Sequence, residues 1–409
     1  MSPERSACLR PMTPVVLSAY TLVTANGRGV GAVMEALRAR RSALKLCDFE
    51  DVELKTYIGR VDGLEDFSLD HDLKPFDCRN NRLAWLGLQQ DGFTAAVAEA
   101  KQRYGAHRIA VIMGTSTSGI LETEHAYRAR DPHTGSLPAW YVPRYRYTHN
   151  MFSLGYFVRT CLGLCGPAMV ISTACSSSAK VFATATRLMQ VGLCDAAVVG
   201  GVDSLCHTTL YGFSALQLLS SEPCRPCDED RDGLSLGEAA GYVLLERREQ
   251  ATGQGAVALL GYGESTDGYH MSHPHPDGTG AIRAMRDSLA RAGIRPEAVE
   301  YVNLHGTATR ANDEVEDKAV YSVFGTRPAC SSTKGWTGHT LGASGVTEAI
   351  ISALCLTHNF IPGTLNCRRV DPLLKCRILR DHQFGSLSCV VSNIFGFGGN
   401  NCSLVLGKL

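Results

Sequence analysis

Two kinds of apolar pattern alternate along the chain. Short runs rich in β-branched residues read as buried strands: Arg108–Met113 (RIAVIM), Ala168–Ser172 (AMVIS), Ala196–Gly200 (AAVVG), Gly241–Leu245 (GYVLL), Glu300–Leu304 (EYVNL) and Cys402–Leu406 (CSLVL). Helix-like segments lie between them, and no low-complexity stretch or Pro/Ser linker divides the sequence. This alternation predicts an α/β fold.

The order of elements also echoes itself. Around residues 90–119 a helix-like segment leads through a loop into RIAVIM and then Gly114-Thr-Ser-Thr117. Around 280–309 a helix and loop lead into EYVNLH and then Gly306-Thr-Ala-Thr309. Later, GLSLGEAAGYVLLERRE resembles FGFGGNNCSLVLGK, each a glycine-rich turn feeding a strand that ends in charge. The pattern predicts a duplicated α/β unit, with halves at 1–255 and 256–409; chance similarity between ordinary α/β units is the alternative.

Composition narrows the classes. In 409 residues, 40 Lys+Arg balance 40 Asp+Glu, so bulk electrostatic attraction to nucleic acid or an acidic membrane is not expected. No uninterrupted apolar run reaches about 18 residues, which predicts no membrane span. The N-terminus lacks a secretory apolar core. The 16 cysteines show no disulfide-framework spacing, which favours a reducing compartment and makes the cytosol the expected location. Cys224-Arg-Pro-Cys227 is a lone CxxC without a second pair, and reads as a surface loop rather than a metal or redox site.

Candidate chemistry begins at Cys175. The strand AMVIS runs into Thr173-Ala-Cys175-Ser-Ser-Ser, and small residues then open a helical pattern. Cys175 therefore falls at a strand-to-helix turn, where a helix N-terminus favours the thiolate. A buried structural cysteine is the competing reading. His305 ends the strand YVNL and opens His-Gly-Thr-Ala-Thr, while His339 sits in Lys334-Gly-Trp-Thr-Gly-His339-Thr-Leu-Gly, entering a helix with Glu348. Glycines hold both histidines in turns, allowing close approach of backbone to a ligand.

With STACSSS at Cys175, GGVDSL at Gly200–Leu205, NLHGTAT at Asn303–Thr309, TKGWTGHTLGASG at Thr333–Gly345 and NIFGFGGNN at Asn393–Asn401, the chain resembles the elongating β-ketoacyl-[acyl carrier protein] synthases and type II polyketide ketosynthases. The resemblance runs from about Val15 to the C-terminus. It implies a duplicated thiolase-type fold, layered α-β-α-β-α, and a Cys175–His305–His339 triad. Lys334 and Glu348 match residues that order His339 and its waters. Phe395 and Phe397 match a glycine-hinged segment that gates the pocket, and the N–H groups of Cys175 and Phe397 an oxyanion hole. Thr307 and Thr309 match positions that bond the phosphopantetheine arm, and His270 belongs to a Tyr-His-Met stretch that the family shares.

The implied reaction is decarboxylative Claisen condensation of a Cys-bound acyl chain with malonyl-[acyl carrier protein], in fatty-acid or polyene/polyketide elongation. The resemblance calls for no metal or organic cofactor beyond the carrier arm. It implies an acyl carrier protein as partner, and a homodimer or a heterodimer with a chain-length-factor-like subunit. The TKGWTGH turn looks closest to catalytic subunits of aryl-polyene-type clusters. Asn400-Asn401 and the bulky Trp336 depart from the common pattern, and both are expected to shape the pocket mouth. A non-catalytic chain-length subunit would lack Cys175, and a thiolase-type acyltransferase would carry a second catalytic cysteine where this chain has Phe397-Gly-Gly-Asn.

Three further features are read conservatively. His270, His273 and His275 lie in a proline-fixed segment without accompanying ligands, which reads as a pocket-edge loop rather than a metal site. Asp313 and Glu316 read as structural acids complementing a helix N-terminus. The basic, aromatic stretch Arg128–Asn150 reads as a loop that meets a carrier protein, covers the pocket or forms a dimer contact.

Overall fold

The computed structural model describes residues 9–247 and 256–409. Five strands of the first half are β1 (Val15–Thr24), β2 (Ile109–Gly114), β3 (Ala168–Ile171), β4 (Ala196–Asp203) and β5 (Ala239–Arg247). Five of the second are β6 (Val257–Thr266), β7 (Tyr301–Asn303), β8 (Ala329–Ser331), β9 (Cys389–Gly396) and β10 (Asn400–Lys408). Each run expected to be a strand overlaps one of these, with ends that differ by a residue at Arg108, Ser172, Glu300 and Leu304. The order across one unit is β3-β2-β4-β5-β1 and across the other β8-β7-β9-β10-β6. In both, the second strand lies parallel to its two neighbours and the last two pairings are antiparallel. The repeat heard in the sequence is thus a repeat of topology. The expected junction at 255 lies outside the described residues.

The two units join where β1 pairs antiparallel with β6, Val15 opposite Leu259 and Val16 opposite Ala258. Their principal helices are α1 (Phe93–Tyr104), α2 (Ile120–Arg128), α3 (Tyr141–Thr148), α4 (Ser177–Gln190), α5 (His207–Ala215), α6 (Thr279–Ala292), α7 (Arg310–Phe324) and α8 (Ser344–His358). Helices α4 and α8 pack on each other and on both units, forming the middle layer, while α1 and α6 cover outer faces. Small residues let the middle pair approach: Gly345 faces Ala179, and the Val346 N–H donates to Ser178 Oγ at 3.0 Å. Residues 344–356 of α8 are all buried. The stretch Leu341–His358 is long and apolar enough to cross a membrane, against expectation, yet 89% of it lies inside the fold. It is a core helix.

Two other expectations change. Residues 128–150 are not all loop, because Tyr141–Thr148 forms α3, which Arg144 ties down through the Asp77 carbonyl at 2.5 Å and Glu122 at 3.2 Å. Cys224 and Cys227 are buried, not on the surface; Cys224 Sγ donates to the Lys334 carbonyl at 3.3 Å. Every cysteine among the described residues is free. At one end of the sheet β3 is an edge strand, only partly covered, with Met169 41% exposed.

One buried carboxylate gathers the strand ends near Cys175. Asp203, at the end of β4, accepts the N–H groups of Ser116 (2.9 Å) and Thr117 (3.1 Å) after β2, and that of Gly342 (2.6 Å) just after His339. The Thr115, Ser116 and Thr117 hydroxyls also donate to it. Charge-assisted bonds of this kind contribute about 1.5–3 kcal/mol each when buried. Asp203→Ala is expected to destabilise the fold by about 3–5 kcal/mol, read as a lower urea midpoint. A midpoint within experimental error of the parent would mean that the turns stand without this carboxylate.

Candidate active site

The nucleophile sits on a strained elbow. After β3, Ala174 adopts φ +51°, a left-handed conformation uncommon outside glycine, and Cys175 follows immediately before α4. Serine hydroxyls hold the turn: Ser177 Oγ accepts the Thr173 N–H at 2.9 Å and donates to the Ala174 carbonyl at 2.6 Å, and Ser176 Oγ donates to the Thr173 carbonyl at 2.9 Å. A side chain at Gly396 would crowd this elbow, with a Cβ 3.1 Å from both Ser176 N and Thr173 O. The bare backbone there lets the next residue, Phe397, turn its amide onto the Cys175 sulfur.

The opposite unit supplies the imidazoles. Nε2 of His339 lies 3.0 Å from Cys175 Sγ. The His305 ring meets the His339 ring edge-on, centroids 5.2 Å apart at 83°. Gly338, at φ +71°, packs against Leu236 and Gly237, and the His339 N–H donates to the Ser235 carbonyl at 2.7 Å. Glu316 clamps the other histidine turn, accepting the N–H of His305 and of Gly306, each at 2.7 Å. Asp313 accepts the N–H of Ala308 at 3.2 Å and of Cys227 at 2.9 Å. Both acids are buried rather than lying at a solvated helix terminus, so they act as turn clamps rather than as dipole partners alone. Burial pushes Glu316 up to about 8.

Lys334 is buried and paired with Glu348. Its Nζ donates to the His305 carbonyl at 2.5 Å and lies 3.5 Å from His305 Nδ1. The direct contacts thus fall on His305, where His339 was expected, because Nζ reaches the backbone of the NLHGT turn first. Burial pushes Glu348 up to about 7, with the Lys334 ammonium pulling it the other way. Burial and the Lys334 charge hold His305 and His339 well below the usual histidine range, so both are neutral near pH 7. The Cys175 thiol moves the other way from the sequence expectation: burial pushes it up to about 11, outweighing Lys334 and the Phe397 and Cys175 amides. With the thiol protonated, the S–H faces His339 Nε2.

A cavity of about 800 Å³, its open mouth included, reaches this group. Thr307, Thr309, Phe395 and Phe397 line it, together with Cys175, His305 and His339. Thr307 and Thr309 share a hydroxyl–hydroxyl bond of 2.9 Å. The apolar wall comes from Phe213, Leu216, Leu218 and Leu234, with Phe213 stacked on Phe397 at 5.5 Å. His270 does not line the cavity; it is exposed, and its neighbour His273 takes that place, the two rings 4.8 Å apart. Trp336 is far from the mouth, fully buried, with Nε1 donating to the Ala36 carbonyl at 3.2 Å. Asn401 lines the cavity and donates to Asp267 at 2.7 Å, while Asn400 accepts from Lys180 at 3.1 Å. Asp267 and Met271 bond the backbone of Gly399 and Gly398, zipping the histidine-rich segment to the glycine turn. Sequence reading missed Asp203, although it lies in the quoted GGVDSL, and Phe213, which lies in none of the quoted motifs.

Comparison with known proteins gives the family. Residues 12–251 match the β-ketoacyl synthase N-terminal domain, and residues 256–368 the C-terminal domain. The chain belongs to the β-ketoacyl synthase family. A chain in the structure of a ketosynthase (ApeO) in complex with its chain length factor (ApeC) from Xenorhabdus doucetiae is 37% identical, covers all of both chains and superposes with a TM-score of 0.86. The 3-oxoacyl-[acyl-carrier-protein] synthase 2 of Rhizobium meliloti is 42% identical over 260 residues, 59% of this chain and 61% of that protein. The mitochondrial 3-oxoacyl-[acyl-carrier-protein] synthase of Arabidopsis thaliana is 40% identical over 265 residues, 60% of this chain and 58% of that one. The match therefore spans about three fifths of these curated relatives.

Since the thiol is raised rather than lowered, its alkylation by iodoacetamide is expected to speed up about tenfold per pH unit between pH 7 and 10, following the thiolate fraction. A rate already level at pH 7 would instead reveal a thiolate–imidazolium pair and overturn this charge assignment. Loss of the label in Cys175→Ala assigns the signal to this sulfur.

Proposed function

We propose that the protein catalyses decarboxylative Claisen condensation between an acyl chain on Cys175 and malonyl-[acyl carrier protein], yielding a β-ketoacyl-[acyl carrier protein]. The observation that carries the reading is the Cys175 sulfur 3.0 Å from His339 Nε2, beside a second neutral imidazole and under the Phe397 amide. Acyl transfer begins as Cys175 attacks the incoming thioester. Its proton passes to His339 Nε2 and then to the departing carrier thiolate, so the first step is proton-neutral. The tetrahedral oxyanion rests on the N–H groups of Cys175 and Phe397, donors that typically contribute about 3 kcal/mol each.

In the second half, the N–H of His305 and that of His339, now in the neutral tautomer protonated on Nε2, hold the malonyl thioester oxygen. The bond to the carboxylate breaks, CO₂ leaves, and the electron pair forms the enolate. The enolate carbon attacks the acyl carbonyl, the same two amides hold the new oxyanion, and collapse expels the Cys175 thiolate, which takes one proton from solvent. Neutral imidazoles suit this step, because an imidazolium would stabilise the malonyl carboxylate and resist its loss. Lys334 and Glu348 position His305. Thr307 and Thr309 meet the carrier arm, and Phe395 and Phe397 govern entry. The proposed reaction calls for no metal or organic cofactor beyond the phosphopantetheine arm of the carrier.

An acyl carrier protein is the proposed partner. A two-fold assembly through the β3 edge is also proposed, with a second copy or a chain-length-factor-like subunit; exposed Trp140, Val142, Tyr145 and Phe152 lie in the segment leading to that edge. The full-length likeness to a ketosynthase solved in complex with its chain length factor supports the heterodimer. A cytoplasmic location fits these partners.

Intact mass after mixing with acyl-loaded carrier protein is expected to show one acyl adduct, absent in Cys175→Ala. His305→Ala is expected to keep that adduct while lowering CO₂ release about 10²–10³-fold. No adduct in the parent chain, with or without a candidate partner subunit, would overturn the catalytic reading and leave the chain as a pocket-shaping subunit.

A further inference from the structure

Outside the cavity, three segments distant in sequence bring metal-ligand side chains together. Glu50 and Asp51 come from the loop before residue 57, Glu124, His125 and Arg128 from α2, and His207 from the first turn of α5. Nε2 of His207 lies 2.8 Å from Asp51 Oδ1 and 3.5 Å from Glu50 Oε2. Nε2 of His125 lies 3.1 Å from the same Glu50 oxygen. Such separations suit the edges of a coordination shell whose ligands stand about 2.0–2.2 Å from an ion.

The other side of the His207 ring is fixed independently. Its Nδ1 lies 3.1 Å from Glu124 Oε2, and that carboxylate also accepts the N–H of His207 at 3.0 Å and of Thr208 at 2.7 Å. Glu124 thus anchors Nδ1 and aims Nε2 at the two acids, the carboxylate–histidine arrangement that orients an imidazole toward an ion. The ring cannot swing away: its side chain is 6% exposed, stacked on Tyr211 at 9° and close to Phe49. Charge points the same way. Three carboxylates face one guanidinium, Arg128, which bonds Asp51 at 3.0 Å; a divalent cation neutralises the remainder. Each carboxylate oxygen has two acceptor sites, so Arg128 and an ion can share Asp51.

We propose that His207, Glu50 and Asp51, whose ligand atoms lie within 4.8 Å of one another, form a divalent-cation site of the zinc class, with Glu124 orienting His207. An imidazole with carboxylates favours zinc over magnesium or calcium, which take oxygen shells. The ion would pin the start of α5 to the loop at 50–51. Because α5 also carries Phe213, stacked on Phe397, its effect reaches the cavity wall rather than the chemistry. The proposal stands whether or not the condensing reaction is confirmed.

The test is calorimetric titration of the full chain with Zn²⁺ at pH 7.5. It is run in parent and Cys175→Ala protein, because Cys175, His305 and His339 also place ligand atoms within reach of one another. One equivalent that survives Cys175→Ala is expected. Affinity should fall at least about tenfold in Glu124→Gln and further in His207→Ala. Asp51→Asn changes a side chain that is 69% exposed and so keeps the test open if His207→Ala fails to fold. Co²⁺ at the site should show ligand-field bands without thiolate charge transfer. Binding lost with Cys175, or unchanged in Asp51→Asn and His207→Ala, overturns the site; so does no binding at all.

Discussion

The ammonium of Lys334 is buried among the titratable groups of the site, and burial together with that charge sets the state of the two imidazoles. A cation taken out of water needs an anion and further acceptors close by, and Glu348 and the His305 carbonyl provide them. With that charge fixed in place, a second positive charge on either imidazole would be repelled and poorly solvated. The histidines are therefore donors and acceptors without net charge, and the sulfur, whose burial outweighs the pull of Lys334, keeps its proton until a substrate draws it away. Proton traffic at the site starts from this arrangement rather than from a standing ion pair.

Two similar units make such a site by meeting tip to tip. One brings Cys175 on the elbow after its edge strand; the other brings His305 after β7 and His339 after β8. Neither unit holds the full set. Asp203 spans the gap, reaching the turn after β2 and the turn after His339 together, so one carboxylate aligns loops that carry different parts of the chemistry.

Strand runs such as RIAVIM and AAVVG were legible because buried parallel strands are continuous in apolar residues, and the elements fell where those runs lie. The site's principal groups were legible because each sits in a glycine- or serine-marked turn. What escaped notice depended on burial, which no local pattern reports. Cys224 and Cys227 looked like loop residues and Trp336 like a pocket rim, yet tertiary packing encloses all three. The shift of His270 to His273 turns on which way a single loop faces, and the expected low thiol pKa failed because desolvation outweighed the helix terminus. Glu50, Asp51 and His207 are joined only by folding, with Asp51 and His207 156 positions apart.

The edge position of β3 has a mechanical consequence. Only Ser172, Thr173 and Ala174 separate the last residue of that strand from Cys175, and the hydroxyls of Ser176 and Ser177 allow those three little slack. Any strand added along the edge would stiffen Ile171 and, through so short a tether, the seat of the sulfur. An addition at that edge and the reactivity of the sulfur would thus be coupled through the same few peptide bonds.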